Sequence, residues 1–558
     1  MILVLCSLVL SCGQEPPRRG NAPTDAYLPG SDYPYYGTED DWDRRFFTKH
    51  IKDFYKRRGQ RQMLDIVEGR PEEASRYCQE LLAADPNDLE SLYNLAVAQG
   101  QMQELDAAMT TVRSAVTAGL PFSRFLAGPR DMLKPLADSA AFRNYAAQHP
   151  VQLLHGPMLG CVTDSSAKFW LRSADEVSVQ AWVSTSKQLT KPIKSEILKS
   201  SARRDYTAIV EVVGLQPSTI YYYDLFLAGK SVLSGEYPSF RTFPAAGGKS
   251  RFQVGFGGGA GYVPQHERVW DTIHSHNPAA FLTLGDNVYI NMPEMPNGVH
   301  SYTYYRRQSR PEFRRLVAST SVFAIWDDHD CATDDVWMGP YLDKPVWKLP
   351  LFHVFRLNWN NPGYGDAEWP GCWFRFTIGD VDFFMLDGRF YRTNPYADNP
   401  TMLGPVQKQW FLDQIKQSTA TFKVIASPVP WSFGTKGGAV DTWNGFQEER
   451  NEIFDFLANN TIDGVLLISA DRHRSDAWRI DRGENYPLYE FGSSRLTNQH
   501  VHEIIPEALF GYNEKQSFGL LTFDSTVADP SVTYQVVSID NEIIHTITVK
   551  KSELSHAR

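Results

Sequence analysis

The sequence predicts a multidomain protein in which a helical region is followed by a β-sandwich and then by a long α/β domain. Three observations predict this order. Apolar residues recur at helical spacing between residues 50 and 150, the period changes to two from Leu153, and strand-like and helix-like segments alternate after residue 250. With 558 residues, the chain has room for roughly three or four domains.

The first residues form an apolar leader. MILVLCSLVLSCG is too short to span a bilayer and ends in Val9-Leu10-Ser11-Cys12, which resembles a bacterial lipobox. This pattern predicts a signal peptide over residues 1–12, a lipid anchor on Cys12 and an extracytoplasmic (periplasmic or cell-surface) location. An ordinary cleaved signal with a chance cysteine is the alternative. Residues 13–49 are rich in Pro and Gly and are predicted to be a linker.

Residues 50–150 contain an internal repeat. Ala74 and Cys78 correspond, 34 positions later, to Ala108 and Val112. Small residues at this period resemble the tetratricopeptide repeat, in which they let paired helices pack closely. Two repeats are too few to stand alone, so we expect them to pack on the domains that follow. A structural spacer is the favoured role, and a groove for a protein partner is the alternative.

Residues 151–246 alternate apolar and polar positions, with turn signals at short intervals, and are predicted to form the β-sandwich. VEVVGLQPSTIYYYDLF within this range resembles a fibronectin type III strand pair. We expect the sandwich to dock on the α/β domain or to shape its cleft rather than to carry chemistry.

The α/β domain, residues 250–558, has apolar strand candidates that run directly into polar residues. Because the carboxyl ends of parallel strands share one edge of a sheet, these polar residues are expected to converge there. They are Asp286; Asp327, Asp328 and His329; Asp387 and Arg389; and Asp471 and His473. Several carboxylates in one place repel one another unless cations neutralise them, and oxygen and nitrogen ligands of this kind bind metal ions. A cluster of metal ions is the usual means of hydrolysing phosphate esters.

The net charge of the chain is −10, and the sequence has no long basic run. Nucleic acid is therefore not expected to be the main partner, because phosphate backbones are bound by clustered Lys and Arg.

Four motifs in this order, preceded by a β-sandwich, resemble the PhoD-like alkaline phosphatases of the metallophosphoesterase superfamily. The motifs are LTLGDNVY, IWDDHD, FFMLDGRFYR and LISADRHRSDAW. The resemblance covers roughly residues 153 to 500. It implies an αββα four-layer core, hydrolysis of phosphomonoesters or phosphodiesters, and a multinuclear centre of iron with calcium.

The resemblance also implies roles for individual residues. Those matched to metal ligands are Asp286 as the bridging ligand, Tyr289, Asp327, Asp328 and Asp471. His329 is expected to act as general acid, and His473 or Arg389 to stabilise charge on the transferring oxygens. Arg389 and Arg392 are expected to pair with the substrate phosphate, because the planar guanidinium fork can donate two hydrogen bonds to phosphate oxygens.

The sequence departs from the family pattern at the first strand end. No cysteine follows this strand; Gly258 and Gly259 stand there, and they are expected to let backbone approach the metal or the phosphate. Tyr262, Gln265 or His266 could supply the missing ligand, and His266 is the residue we predict. Asp334 also stands where the family commonly has Asn.

Two other functions compete with phosphate ester hydrolysis. The glycine-rich turn suggests a nucleotide-binding oxidoreductase, but an acidic residue about twenty positions further on, free to hold a ribose, is lacking. The missing thiolate suggests a catalytically weakened, metal-stabilised surface protein that binds through its repeats and sandwich.

Overall fold

The computed structural model of the protein describes residues 58–233, 237–294, 297–332 and 334–556. The predicted signal peptide, Cys12 and the linker lie outside these residues. Within the described ranges, no helix has both the length and the apolar character needed to cross a membrane.

Short helices make up the N-terminal region, as the apolar spacing predicts. They are α1 (Gln60–Val67), α2 (Pro71–Ala84), α3 (Leu89–Gln101), α4 (Leu105–Thr117), α5 (Ser123–Ala127), α6 (Arg130–Ala137) and α7 (Ala140–Gln148). The repeat positions Ala74, Cys78, Ala108 and Val112 are all fully buried. Small side chains at these positions therefore let α2 and α4 pack closely against their neighbours.

Two sheets follow the helical region and share one core. One contains β1 (Leu153–Gly160), β2 (Ser166–Ser173) and β6 (Thr207–Val213). The other contains β3 (Ser178–Ser184), β4 (Ile193–Lys194), β5 (Leu198–Lys199), β7 (Ile220–Leu227), β8 (Lys230–Ser231) and β9 (Ser239–Arg241). The ring of Phe169 on β2 lies 4.5 Å from that of Tyr223 on β7, so the sheets pack face to face.

The α/β domain is built on two larger sheets. The first has the order β12-β11-β10-β20-β21-β22, and its strands are β10 (Arg251–Gly257), β11 (Ala280–Leu284), β12 (Ser321–Ile325), β20 (Ser517–Asp524), β21 (Ser531–Ser538) and β22 (Ile543–Lys550). Strands β10, β11 and β12 are mutually parallel, and the rest pair antiparallel.

The second sheet has the order β13-β14-β15-β16-β18-β17-β19. Its strands are β13 (Phe374–Ile378), β14 (Val381–Met385), β15 (Phe422–Ala426), β16 (Val465–Ser469), β17 (Ser475–Arg482), β18 (Asn485–Ser493) and β19 (Phe510–Tyr512). Strands β14, β15, β16 and β18 are parallel, so their carboxyl ends form one edge. The apolar runs that precede the predicted polar residues form β11, β12, β14 and β16.

Helices pack around the paired sheets. They are α8 (Val269–Ser275), α9 (Asn297–Gln308), α10 (Pro311–Ser319), α11 (Asp328–Cys331), α12 (Lys348–Asn358), α13 (Gly404–Gln417) and α14 (Gln447–Asn459). Rings of Phe491 on β18 and Tyr534 on β21 stack 4.4 Å apart between the sheets. Outside, Trp270 of α8 packs on Phe281 of β11. Together with α13 on the other sheet, where Phe411 packs on Phe384 of β14, this gives the four layers that the resemblance implies.

The helical region packs on the α/β domain, as predicted for repeats too few to stand alone. Tyr302 of α9 is completely buried among the N-terminal helices, and its ring lies 5.8 Å from that of Tyr93 on α3. The Tyr302 hydroxyl donates a hydrogen bond to Glu90 and accepts one from Asn94 at 3.1 Å. This face of α3 is therefore covered by the same chain, and a separate protein partner for the repeats stays a prediction.

Replacing Glu90 by Ala should destabilise the helical region and α9 together. Glu90 is the ion-pair partner of Arg124 at 3.0 Å, and Arg124 is completely buried. Removing one member of a buried pair leaves an uncompensated charge, so we expect a loss of about 3 kcal/mol in the free energy of unfolding, measured by urea denaturation. Asp138→Ala, which breaks the exposed pair with Lys134, is the control and should change little. Equal effects of the two substitutions would contradict this account.

Candidate metal centre

The polar strand ends converge on one edge, as expected from the topology. Asp286 follows β11, Asp327 and Asp328 follow β12, Arg389 follows β14, and Asp471 follows β16. Ion pairs and hydrogen bonds described below join these residues across the two sheets. Residues more than 180 positions apart in the sequence therefore face one another.

Asp286 sits at the tip of the loop after β11 in a left-handed backbone conformation, with a φ of 53°. Its Oδ2 accepts a hydrogen bond from the Tyr289 hydroxyl at 2.8 Å, whereas its Oδ1 is buried with no hydrogen-bond partner. Burial and the nearby carboxylates of Asp328, Asp327 and Asp330 raise the pKa of Asp286 well above its usual range. This buried, unsatisfied oxygen among like charges is suited to a bound cation.

Asp330 ties the loops after β11 and β12 together. Its carboxylate accepts hydrogen bonds from the backbone N–H groups of Asn287 at 3.0 Å, Val288 at 3.1 Å and Asp327 at 3.0 Å. Asp327 and Asp330 also form a reciprocal cap at the start of α11. Burial raises the pKa of Asp330 to about 8. Asp330 therefore positions Asp286 and Asp328 relative to each other.

Two groups of side chains bring ligand atoms within 4.8 Å of one another. The first consists of Asp286, Asp328 and His329, and the second of Asp328, Asp335 and Asp441. Asp328 belongs to both, so its carboxylate is common to the two groups. Burial opposes ionisation of Asp328, but the charge of Arg389 and then His329 prevail and lower its pKa. Carboxylate oxygens with one imidazole are ligands that suit hard or borderline cations.

His329 has its two ring nitrogens in different surroundings. Nδ1 lies 2.5 Å from Oδ1 of Asn291, and Nε2 lies 3.0 Å from Oδ1 of Asp334, whose side chain is mostly exposed. The amide oxygen beside Nδ1 orients the ring so that Nε2, which lies beside the Asp334 carboxylate in this structure, is the nitrogen directed away from Asn291 and the one that could bind a cation.

Arg389 is completely buried and surrounded by carboxylates. Its Nε donates to Asp327, its Nη1 donates to Asp441 at 2.9 Å, and its Nη2 lies 3.8 Å from Oδ2 of Asp328. Arg392, also buried, makes a 3.0 Å ion pair with the same Asp441. The predicted role of Arg389 as a phosphate contact does not fit this geometry, because all three of its nitrogens already face carboxylates.

Asp471 and His473 lie on the turn after β16, and both have left-handed backbones, with φ of 66° and 47°. Such conformations cost energy in residues other than Gly and are concentrated at functional sites. Nδ1 of His473 lies 3.4 Å from Nδ2 of Asn498, and Asn498 donates to the Tyr289 hydroxyl at 2.5 Å. Asn498 thus links the loops that carry Tyr289 and His473.

The glycine-rich turn is packed rather than open. The amides of Gly258 and Gly259 donate to the backbone carbonyls of Ser493 at 3.0 Å and Gly285 at 3.4 Å. A Cβ on Gly259, whose φ is +69°, would lie 2.2 Å from the Ser494 carbonyl oxygen. Both amides are therefore already bonded, and the glycines are required because backbone passes close to them; a role of Gly258 and Gly259 in binding phosphate stays a prediction.

His266 does not join the centre. Its Nδ1 is bonded to the carbonyl oxygen of Thr497 at 2.9 Å, and neither group of ligand atoms found in the described residues contains it. The prediction that His266 replaces the missing ligand is not supported. The short helical turn Pro264–His266 instead anchors the loop that leads to Asn498.

Several residues of the site were not predicted. Asp335 and Asp441 stand in loops without periodic pattern, and Arg472 lies between two predicted residues. Asp387, in contrast, is structural: its carboxylate accepts hydrogen bonds from the Trp326 indole at 2.8 Å and from the backbone amide of Cys372 at 2.7 Å. For Arg472, position in the ADRH segment was an available signal, since the residue lies between Asp471 and His473.

The helical region also contacts the loop that carries Tyr289. Nε2 of Gln60 on α1 donates hydrogen bonds to the carbonyl oxygen of Tyr289 and, at 3.1 Å, to Oγ1 of Thr303. Gln60 is completely buried. The N-terminal helices therefore support the backbone on which Tyr289 and Asn291 stand.

Comparison with known proteins agrees with the motifs. Residues 361–521 match the family model described as PhoD-like phosphatase, and residues 66–119 match that of the tetratricopeptide repeat. The predicted resemblance is confirmed. The PhoD-like match includes Arg389, Asp441 and His473, and the loops with Asp286 and Asp328 precede it. Residues 150–244 match a family described only as a domain of unknown function, so the fibronectin type III resemblance stays a prediction.

Individual relatives are distant in sequence. Alkaline phosphatase D of Bacillus subtilis (strain 168) is 22% identical over 312 residues, which are 48% of this chain and 53% of that protein. The chain thus matches about half the length of this relative. A structure of PhoD superposes with a TM-score of 0.61 at 17% identity, covering 71% of this chain and 90% of that one.

A purple acid phosphatase from yellow lupin seeds gives a TM-score of 0.54 at 11% identity, covering 71% of this chain and 75% of that one. At these identities, the two structural comparisons establish a shared fold. This shared fold supports the paired-sheet core described above.

Proposed function

We propose that the protein hydrolyses phosphate esters at a multinuclear metal centre formed by the loops after β11, β12 and β16. The observation that carries the proposal is the buried Oδ1 of Asp286, which has no hydrogen-bond partner and lies among like charges. A cation would satisfy this oxygen and offset the repulsion. The PhoD-like domain match supports the same chemistry.

The proposed ligands follow from the two groups of side chains. Asp286, Asp328 and His329 would hold one ion, and Asp328, Asp335 and Asp441 a second. Such ions supply Lewis acidity and a bound water of lowered pKa. Iron with calcium is the pair that the family resemblance implies. Tyr289 and Asp471 stay predicted ligands, the former beside Asp286 and the latter beside Arg472.

The chain's own groups have distinct proposed tasks. Tyr289 orients the Asp286 carboxylate through its hydroxyl, and Asn291 fixes the His329 ring so that Nε2 is the nitrogen available to a ligand. We therefore favour a ligand role for His329 over the general acid predicted from the sequence. His473 is then the histidine proposed to contact the phosphoryl oxygens.

Metal removal tests this proposal. We expect the purified protein to contain bound metal and to hydrolyse bis(4-nitrophenyl) phosphate. Dialysis against a chelator should abolish that activity, and readdition of the ions found by elemental analysis should restore it. The melting temperature should fall on chelation, because carboxylates that the ions neutralise would then repel one another.

The competing function makes a different prediction in the same experiment. A catalytically weakened binding protein would retain metal and lose thermal stability on chelation, yet would hydrolyse neither a phosphomonoester nor a phosphodiester with any metal restored. That result would reject the proposed hydrolysis and favour the binding role.

A further inference from the structure

Arg472 is a buried cation whose hydrogen-bonding groups are only partly used. It is 2% exposed, and its Nη2 faces the carboxylates of Asp471 and, at 3.6 Å, Asp441. Its Nε and Nη1 have no hydrogen-bond partner. Leaving buried guanidinium N–H groups without acceptors is costly, so an anion that accepts from them would be bound favourably.

Several basic groups lie in the surroundings of Arg472. His502, half-buried, interacts electrostatically with Arg472, His500, Lys436 and Arg474. Nε2 of His502 lies 2.9 Å from Nε2 of His500. Several positive or basic groups therefore lie near one another around His502. This concentration favours an anionic ligand.

The basic group borders the proposed metal centre. The His473 ring lies 5.0 Å from that of His500 and 5.4 Å from that of His502. On the other side, Arg472 reaches Asp441, which belongs to the second group of ligand atoms. An anion bound to Arg472 would therefore be a direct neighbour of a phosphate held by the metal ions.

We propose that Arg472, with His500 and His502, forms a subsite for a second anionic group of the substrate, adjacent to the phosphate that is hydrolysed. The inference rests on the proposed phosphatase function and narrows it to phosphate esters with a neighbouring phosphate, as in a diphosphate. Arg474 contributes charge only, because its nitrogens already donate to Asp476 and to the carbonyls of Glu503 and Thr435.

Neutralising the acidic centre does not by itself explain Arg472. Arg389 already faces Asp327, Asp441 and Asp328, and Arg392 pairs with Asp441. Arg472 also interacts with Asp441, Asp335 and Asp328, but unlike Arg389 it leaves Nε and Nη1 without acceptors. An anion that accepts from these two nitrogens would satisfy them.

The test compares binding of methylenediphosphonate with that of methylphosphonate, both measured by calorimetry on the metal-loaded protein. We expect the wild type to prefer the diphosphonate. Arg472→Met should weaken diphosphonate binding roughly 10- to 100-fold, the effect of losing charge-assisted hydrogen bonds, and should change methylphosphonate binding far less. Arg315→Met, which removes a charge from the half-exposed pair with Asp271, is the control and should leave both affinities unchanged.

An unchanged preference in Arg472→Met, or an equal loss for both ligands, would overturn the subsite. If Arg472→Met does not fold or does not retain metal, Arg472→Lys decides, because it keeps the charge and removes the planar fork. We expect the lysine variant to lose part of the preference, and an unaltered ratio would again refute the proposal. If the wild type did not hydrolyse a phosphodiester, the proposed function would be rejected but the subsite would not. The ratio of the two phosphonate affinities is measured without turnover and tests the subsite separately.

Discussion

Asp286→Asn should abolish hydrolysis of bis(4-nitrophenyl) phosphate, with kcat falling by about 1,000-fold or more. Asn keeps the shape of the side chain and can still meet the Tyr289 hydroxyl, but it removes the negative charge that the first group of ligand atoms requires. A metal ion contributes several kcal/mol of transition-state stabilisation, which corresponds to a rate factor of this size. Activity and metal content should be measured on the same preparation.

The same substitution should stabilise the metal-free protein. Burial and the neighbouring carboxylates raise the pKa of Asp286 well above its usual range, so its ionised form is disfavoured in the folded state. An acid with a raised folded pKa costs stability as pH rises above its unfolded pKa, and at neutral pH a neutral Asn removes that cost. The melting temperature of chelator-treated Asp286→Asn should therefore exceed that of the chelator-treated wild type.

Asp413→Asn is the matched control, because Asp413 is exposed on α13. It should alter neither kcat nor metal content. Full activity in Asp286→Asn would show that Asp286 is not a ligand of the metal centre. A lower melting temperature in its metal-free form would show that the carboxylate is stabilising, contrary to the repulsion described here.

The sequence predicts the strands and the convergent edge well for a physical reason. Fully buried parallel strands require continuous apolar runs, such as VLLIS in β16, and polar residues directly after such runs share one edge. Asp286, Asp328 and His329 are found in this way. Asp335 and Asp441 are not, because loops lack periodicity and their positions depend on contacts distant in sequence.

The hydrogen-bond and ion-pair partners of a side chain are harder to predict from the sequence than its position at the edge of the sheet. Arg389 was expected to face a phosphate, but it pairs with Asp441, 52 residues further along the chain. The glycine turn is expected to let backbone approach the metal or the phosphate, whereas its amides donate to the Ser493 and Gly285 carbonyls. In both cases the decisive neighbour belongs to a different loop, and no local pattern reveals it.

Arg389→Met should cost about 5 kcal/mol of the free energy of unfolding in the metal-free protein. The guanidinium is completely buried, donates to Asp327 and Asp441 and lies 3.8 Å from Asp328. Methionine matches the length of the side chain but leaves buried carboxylates without their cation. Breaking a buried pair costs about 3–5 kcal/mol, and the upper end applies where several carboxylates lose one partner.

Bound metal should offset part of this loss, because ions held by Asp328 and Asp441 neutralise charges that Arg389 would otherwise compensate. Urea denaturation of the metal-loaded and chelator-treated forms measures the difference, with Arg315→Met at the surface pair with Asp271 as the control. We expect the metal-dependent gain in stability to be larger in Arg389→Met than in the wild type. An equal gain would mean that Arg389 and the metal ions act on separate carboxylates. If metal-free Arg389→Met were as stable as the metal-free wild type, Arg389 would not be needed to compensate the buried carboxylates.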